Sequence, residues 1–390
     1  MRPIVAPGRV VGLDMARCLA LIGMMATHVL AGNDENGVTF VQQLAGGRAS
    51  ALFAVLAGVS LALMSGRSTP LRGRELAAAS AGLAVRAVLI ATIGFALGDL
   101  QTGIAIILTY YGVLFLLGLP FLGLRAPALF ALSGAWLLVV PVLSHLLRPH
   151  LPDRGYDSPH FGMLADPGRL LSELTFTGYY PVVPWLAYLL VGMAIGRLDL
   201  SRRRTPWVLT AAGAVIALVS WFGSRLLLDR PGVMATLSGT YVGPRPPGDM
   251  ADVLTHGLYG NTPTGSWWWL AVRAPHTATP FDLASTIGSA LVVIALCVVI
   301  GSLLPRTTAV AFGAGAMTLT LYSAHVWLRT PDLWPEDGMQ TFVQHVVFAV
   351  AVGAVYRLAR LRGPLETMVS TIADGTRLLV RRPSVTSARR

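Results

Sequence analysis

Ten apolar stretches of roughly 20 residues recur along this 390-residue chain, and they limit its possible folds more than any other feature. Each is long enough to cross the hydrocarbon layer of a bilayer as a helix, whereas a closed barrel would show ten-residue alternation instead. The expected class is therefore all-α, a polytopic membrane bundle of about ten transmembrane helices. The spans are expected near 10–31, 49–65, 76–98, 103–122, 128–147, 179–196, 207–228, 283–303, 308–328 and 340–359. With 54% hydrophobic and 13% charged residues, a soluble globular domain is excluded. Residues 1–361 are expected as one membrane domain with long outer loops near 148–178 and 229–282, and residues 362–390 as a basic tail.

All thirty basic residues are Arg, a composition expected of a GC-rich bacterial genome, and their distribution predicts orientation. Nineteen fall on the segments that share a face with the N-terminus. Nine fall on the opposite face, which also holds fourteen of the carboxylates. The positive-inside rule then places both termini in the cytoplasm of a bacterial cytoplasmic membrane. The net charge of +11 is thus an inner-face charge spread over short loops, which argues against nucleic acid as a partner and for membrane lipid. The tail, with Arg377, Arg381 and Arg382, is expected to lie along anionic lipid or to be disordered. Cys18 and Cys297 both fall inside spans and support neither a disulfide framework nor a cysteine metal site. The first apolar stretch carries Asp14 and Arg17 and lacks a cleavage site, so it is expected to be retained as a helix rather than removed as a signal.

Ionisable groups inside a membrane are costly and usually mark function. Asp14, Arg17 and His28 lie in the first span. The eleven residues from Arg17 to His28 make about three turns, so the three side chains form one stripe about 21 Å long. Arg86 adds a second cation within the third span. Two Arg and one Asp leave a positive charge that a phosphate-bearing ligand could meet, although an Asp14–Arg17 pair at i, i+3 is an equally direct use of both side chains. His28 reads either as a general base or as a helix–helix hydrogen bond.

His325 and His345 are expected near the same outer ends as His28, and His276 follows the Trp267–Trp268–Trp269 run in the second long loop. No His pair has the i, i+4 spacing of a helical zinc motif, so no metal is expected. The Trp run reads as an interfacial belt or, with Asn261, Thr262, Thr264 and Ser266, as a sugar-binding platform. Gly58 and Ser60 read as close-packing small residues.

Arg9, Gly12, Leu13, Asp14, Arg17, Leu19 and His28 resemble the first helix of the acyltransferase-3 proteins. Leu52, Phe53, Leu56, Gly58 and Ser60 are similar to the second-helix pattern of that group and of heparan-alpha-glucosaminide N-acetyltransferase-like proteins. Further blocks at 178–181, 192–200, 267–289, 318–325 and 363–366 resemble a related bacterial family. The resemblance implies transfer of an acyl group, commonly acetyl, from cytoplasmic acyl-CoA to a hydroxyl or amine across the membrane. No permanently bound cofactor is implied; acyl-CoA is the donor substrate, and the acceptor is expected to be a carbohydrate, a glycolipid or a secreted metabolite. By resemblance His28 matches the catalytic His and Arg17 the acyl-donor Arg. The candidate catalytic residues are thus His28 and Asp14, with Arg17 and Arg86 for acyl-CoA. Candidates for the acceptor or the oxyanion are Arg48, His276, Trp268, Tyr322 and His325. In the heparan-type enzymes the essential His lies in the loop after helix one, where this chain has residues 32–48 and no His. A non-enzymatic reading, a transporter or flippase of an amphiphilic or anionic substrate using the same polar groups, and a purely structural role for those groups are the alternatives.

Overall fold

Close backbone contacts at small residues set which helices of this protein touch. The computed structural model describes all residues except 1–3, 7, 36, 156, 244–249, 261, 335 and 382–390, so Asn261 and Arg382 lie outside the described residues. In chain order the helices are α1 (Val11–Val29), α2 (Phe40–Ala45), α3 (Arg48–Met64), α4 (Gly73–Gly98), α5 (Leu108–Gly118), α6 (Ala126–Leu147), α7 (Pro167–Ser172) and α8 (Val182–Gly196). They continue as α9 (Arg204–Leu228), α10 (Val233–Thr240), α11 (Met250–His256), α12 (Pro280–Leu303), α13 (Pro305–Ala311), α14 (Thr318–Leu328), α15 (Met339–Leu358) and α16 (Pro364–Arg381). Among the described residues the β-structure is one short hairpin, in which Asn33–Asp34 pairs with Gly37–Val38.

Six helical segments are long and apolar enough to cross a membrane: Phe40–Met64, α4, Ala126–His150, α9, α12 and α15. The bent pair Pro167–Thr177 and Val182–Gly196, angled by 49°, can supply a seventh. Each of the ten expected positions holds helix, but not always one long helix. α1 carries Asp14, Arg17 and His28, which lower its mean hydropathy. α5 has 11 residues. The expected span at 308–328 is divided into α13 and α14 by a 3₁₀ turn at Gly313–Ala316. The break follows from packing, because a Cβ on Gly315 would overlap the Asp14 carbonyl oxygen of α1.

α3 and α8 meet in the same manner. A Cβ on Gly58 would overlap the Leu189 carbonyl oxygen, and one on Gly192 would overlap that of Val55. Gly192 and Gly196 form a small-xxx-small face, the sequence device that lets helix backbones approach in a membrane. Gly58 thus packs as its type suggests, while Ser60 takes a polar role described below. α8 is buried along nearly its whole length. By contrast α9 exposes Val215, Leu218, Val219, Phe222 and Leu226, and α6 exposes Leu138, Val139 and Leu143. The polarity is therefore that of a membrane bundle, with its inner helices wrapped by outer ones whose apolar side chains face outward.

The segment expected as a tail is helical over 364–381. Val369 and Ala373 are buried, and Gly82 of α4 lies against the Ala373 carbonyl. Arg381 pairs with Glu75 at 2.6 Å, while Arg74 donates to the Val380 carbonyl at 3.1 Å. An apolar i, i+4 stripe within an otherwise polar sequence explains why this stretch docks on α4 rather than being disordered. Because Arg67 donates to the Gly8 carbonyl, both ends of the described chain lie at the α3–α4 connection.

The α3–α8 contact makes a prediction. Gly192→Ala is expected to cost roughly 1–3 kcal/mol through overpacking, whereas Gly134→Ala, at an α6 position with open space around it, is expected to be neutral or stabilising. Thermal unfolding in detergent measures both; equal midpoints would contradict the packing account.

Candidate functional site

The polar stripe of α1 faces the bundle interior. Asp14 is 4% exposed and accepts from Arg9 Nε at 2.7 Å and from Arg17 Nη1 at 3.1 Å. The i, i+3 pair read from the sequence is therefore formed. The other arm of Arg17, Nη2, donates to Ser60 Oγ on α3 at 2.9 Å, so the second small residue of that helix anchors a guanidinium. Arg17 and Arg86 line one cavity of about 320 Å³ together with Ser60, Tyr111, Tyr322 and Glu366. Among the described residues the hydrogen-bond partner of Arg86 is the Met64 sulfur at 3.9 Å, and no carboxylate oxygen lies within 4 Å of its guanidinium. Glu366 is already held by the Leu319 and Thr320 amides and the Thr320 hydroxyl, at 2.7, 3.2 and 2.5 Å. The cavity is thus mostly apolar with a guanidinium left for an incoming anion.

A second cavity, of about 440 Å³, lies at the opposite end of α1. His28, His276, Tyr110, Tyr179, Tyr180, Tyr259 and Arg154 line it. Met24, one turn before His28, lines both cavities and is the shared boundary between them. His276 stacks on Tyr259 at 5.5 Å and meets Tyr179 edge-on at 5.0 Å. The Arg154 guanidinium lies 4.9 Å from the Tyr179 ring centre and donates to the Tyr259 carbonyl. His276 adopts a left-handed backbone conformation (φ 58°), strained for a non-glycine residue and frequent at functional sites. Its Nδ1 is buried without a partner. Burial, reinforced by Arg154 and His28, pushes this loop imidazole down to about 3, so it is neutral near pH 7.

Behind His28 runs a chain of imidazoles. His28 Nδ1 lies 3.2 Å from His325 Nε2, and His325 Nδ1 lies 2.8 Å from His345 Nδ1. The three rings come from α1, α14 and α15. His325 and His345 are both buried, and His345 Nε2 has no partner. Among the described residues no cluster of three or more His, Cys, Asp or Glu could hold a metal ion.

The sequence candidates therefore divide. His28 and His276 share one cavity; Arg17, Arg86 and Tyr322 share the other, with Tyr322 accepting the Ile107 amide at 3.3 Å. His325 bonds to His28 from behind rather than facing the acceptor side. Asp14, expected as catalytic, lines neither cavity; it fixes Arg17, because two guanidinium groups occupy its carboxylate. Arg48 does not line the His28 cavity, although its neighbours Gly47 and Ala49 do; it lines a separate cavity with Arg273. Trp268 packs on a satellite apolar cluster around Val233, Leu237 and the buried Trp269 and lines none of these cavities, while Trp267 is exposed and lies against His145. Sequence reasoning did not single out Arg154 or Tyr259, and it noted Tyr179 and Glu366 only as members of the resembling blocks at 178–181 and 363–366, without a role in the site. Arg154 and Tyr259 fall in the two long outer loops, but nothing in the spacing joined any of the four to His28.

Residues 9–228 match the family described as heparan-alpha-glucosaminide N-acetyltransferase, catalytic. The chain belongs to this family. No individual curated protein matches it. The match covers α1 to α9 and so includes Asp14, Arg17, His28, Arg86 and Arg154; His276, Tyr322, His325 and His345 lie beyond it. A membrane acetyltransferase family favours the enzymatic expectation over the transporter one. In this member, residues 32–48 provide no imidazole, and the histidines on the cavity wall include His28 and His276.

The depressed His276 value gives a signed prediction. The unfolded chain takes up this proton near 6.5 as pH falls, so the contribution of His276 is complete above about 6.5 and is lost as pH drops toward about 3. The unfolding temperature of the wild type is expected to fall more steeply below pH 6.5 than that of His276→Gln. Parallel curves would contradict the burial of a neutral imidazole.

Proposed function

We propose that this protein transfers an acetyl group from acetyl-CoA to a hydroxyl or amine of a carbohydrate-type acceptor, with His28 as general base. The observation that carries this reading is the meeting of two unlike cavities at Met24, one basic and apolar, the other aromatic and imidazole-lined. The first suits a phosphate-bearing carrier with a flexible arm: Arg86 and Arg17 meet phosphate charge, and the apolar wall takes the arm toward Met24. The second suits a sugar ring, since Tyr179, Tyr180 and Tyr259 offer flat faces beside polar groups.

The acceptor oxygen or nitrogen attacks the thioester carbonyl while its proton passes to Nε2 of His28, the nitrogen left free by the bond to His325. The carbon–sulfur bond then breaks, and the proton held by the imidazole goes to the departing sulfur. Arg154 and His276 line the same cavity and are the groups at hand for the developing oxyanion. His325 and His345 position His28. With all three rings neutral, the setting in which His28 Nδ1 donates to His325 and His325 Nδ1 donates to His345 leaves Nε2 of His28 bare, ready to take the acceptor proton and to return it to the sulfur. The Arg bias toward the α3–α4 end supports both termini, and the carrier cavity, facing the cytoplasm of a bacterial membrane, with the His28 cavity facing outward.

Incubation of purified protein with labelled acetyl-CoA and envelope glycan extract tests this reading. His28→Ala is expected to reduce transfer by about 10²-fold or more; transfer at the wild-type rate would overturn it. His325→Gln is expected to lower kcat and shift its acid limb with KM little changed, whereas a merely structural role would leave the pH profile in place. Arg86→Gln is expected to raise KM for acetyl-CoA about tenfold, the loss of one charge-assisted contact, and an unchanged KM would remove Arg86 from donor binding.

A further inference from the structure

Beside the His28 cavity, behind a wall that includes Gly46 and Pro275, lies a third cavity of about 550 Å³. Gly46 lines both, and Pro275 is followed directly by His276 on the other side. Two half-buried guanidinium groups face the third cavity, Arg48 at the start of α3 and Arg273 in the loop before α12. They feel each other's charge and that of Asp282, yet among the described residues neither forms an ion pair within 4 Å. Among the described residues Arg48 donates only to the Gln43 carbonyl, and Arg273 only to Ser285 Oγ at 3.4 Å. The Asp282 carboxylate is meanwhile occupied by the Thr277 and Ala278 amides at 3.1 and 3.0 Å. A guanidinium has five N–H donors, so most of those on this pair have no protein acceptor among the described residues.

At the rim, Arg225 pairs with Asp229 at 3.5 Å and lies over the Trp221 ring at 5.6 Å. That pair is self-neutralised. The inner pair therefore carries the unmet charge, two cations against one carboxylate already held by backbone, in a partly desolvated pocket. Such an arrangement favours a tetrahedral oxyanion that both planar forks can grip.

We propose that Arg48 and Arg273 form a phosphate-binding site, separate from the Arg17 and Arg86 cavity, for a phosphate group borne by a soluble ligand or by a lipid. The site stands on its own residues and does not rest on the acetyl-transfer reading. Two forks provide the donors, Asp282 limits the net charge so that a single phosphate group completes the pocket, and Trp221 with Leu228 offers an apolar flank to whatever the phosphate is attached to.

Titration calorimetry with inorganic phosphate in detergent, and thermal unfolding in nanodiscs of phosphatidylcholine with or without phosphatidic acid, test this without any acetylation assay. Saturable phosphate binding that weakens at least tenfold in both Arg48→Gln and Arg273→Gln is expected if the soluble group suffices. Stabilisation only in the phosphatidic acid discs, lost in the same variants, supports the site with a lipid as its source. Absence of saturable binding or stabilisation by the wild type in every arm overturns the proposal. So does binding that survives both substitutions but is lost in Arg86→Gln, because the phosphate would then sit in the other cavity.

Discussion

The buried carboxylate of Asp14 is the interaction on which the rest of the structure depends. Two guanidinium groups converge on it, from Arg9 and Arg17, and its own backbone carbonyl is the surface against which Gly315 packs. A charge removed from water is tolerated only when it is paired and hydrogen-bonded, and removal of one partner from such a pair leaves an uncompensated ion. Asp14 thereby fixes the direction of Arg17, and Arg17 in turn reaches Ser60 and ties α1 to α3. The same turn of α1 forces the chain at 313–316 out of α-helix, and that break sets where α14 begins. Since His325 lies on α14, the position of the imidazole behind His28 follows from a packing contact about four turns away along α1.

This seam explains how one helix can serve two chemically unlike chambers. Its first half presents a charge-fixed guanidinium to an apolar cavity, its second half an imidazole to an aromatic one, and Met24 sits between them. A thioether is a flexible, apolar boundary, able to yield to a slender chain without leaving a polar group unsatisfied. Membership of a membrane N-acetyltransferase family agrees with a bundle whose helices expose apolar side chains outward and gather their polar groups inward.

Much of this was legible in the sequence because apolar length and helical spacing are local properties. The helix positions, the Asp14–Arg17 pair, the inward stripe and the close packing at Gly58 all follow from residues within a few turns of one another. The rest depends on contacts between distant segments. The division of the expected 308–328 span arises from Gly315 meeting α1, and the amphipathic helix at 364–381 is fixed by Glu75, Arg74 and Thr320 far from it in sequence. His28 and His325 are 297 residues apart, and no spacing rule relates them. Arg48 was a candidate by depth and Trp268 by the polar groups around the Trp run; depth says nothing about which side of a loop wall a side chain faces, and Arg48 lines a cavity that meets the His28 cavity only at Gly46.

A structure of the protein with a non-transferable acetyl-CoA analogue, in which a methylene replaces the thioester sulfur, tests the central claim most directly. The account predicts phosphates at Arg17 and Arg86, the arm along Tyr111 and Phe53, and the acetyl carbonyl at Met24 within reach of an acceptor bonded to His28 Nε2, about 3–3.5 Å for reacting atoms. An analogue bound with its acetyl end on the far side of α1 from Met24, or with its phosphates at Arg48 and Arg273 instead, would contradict it.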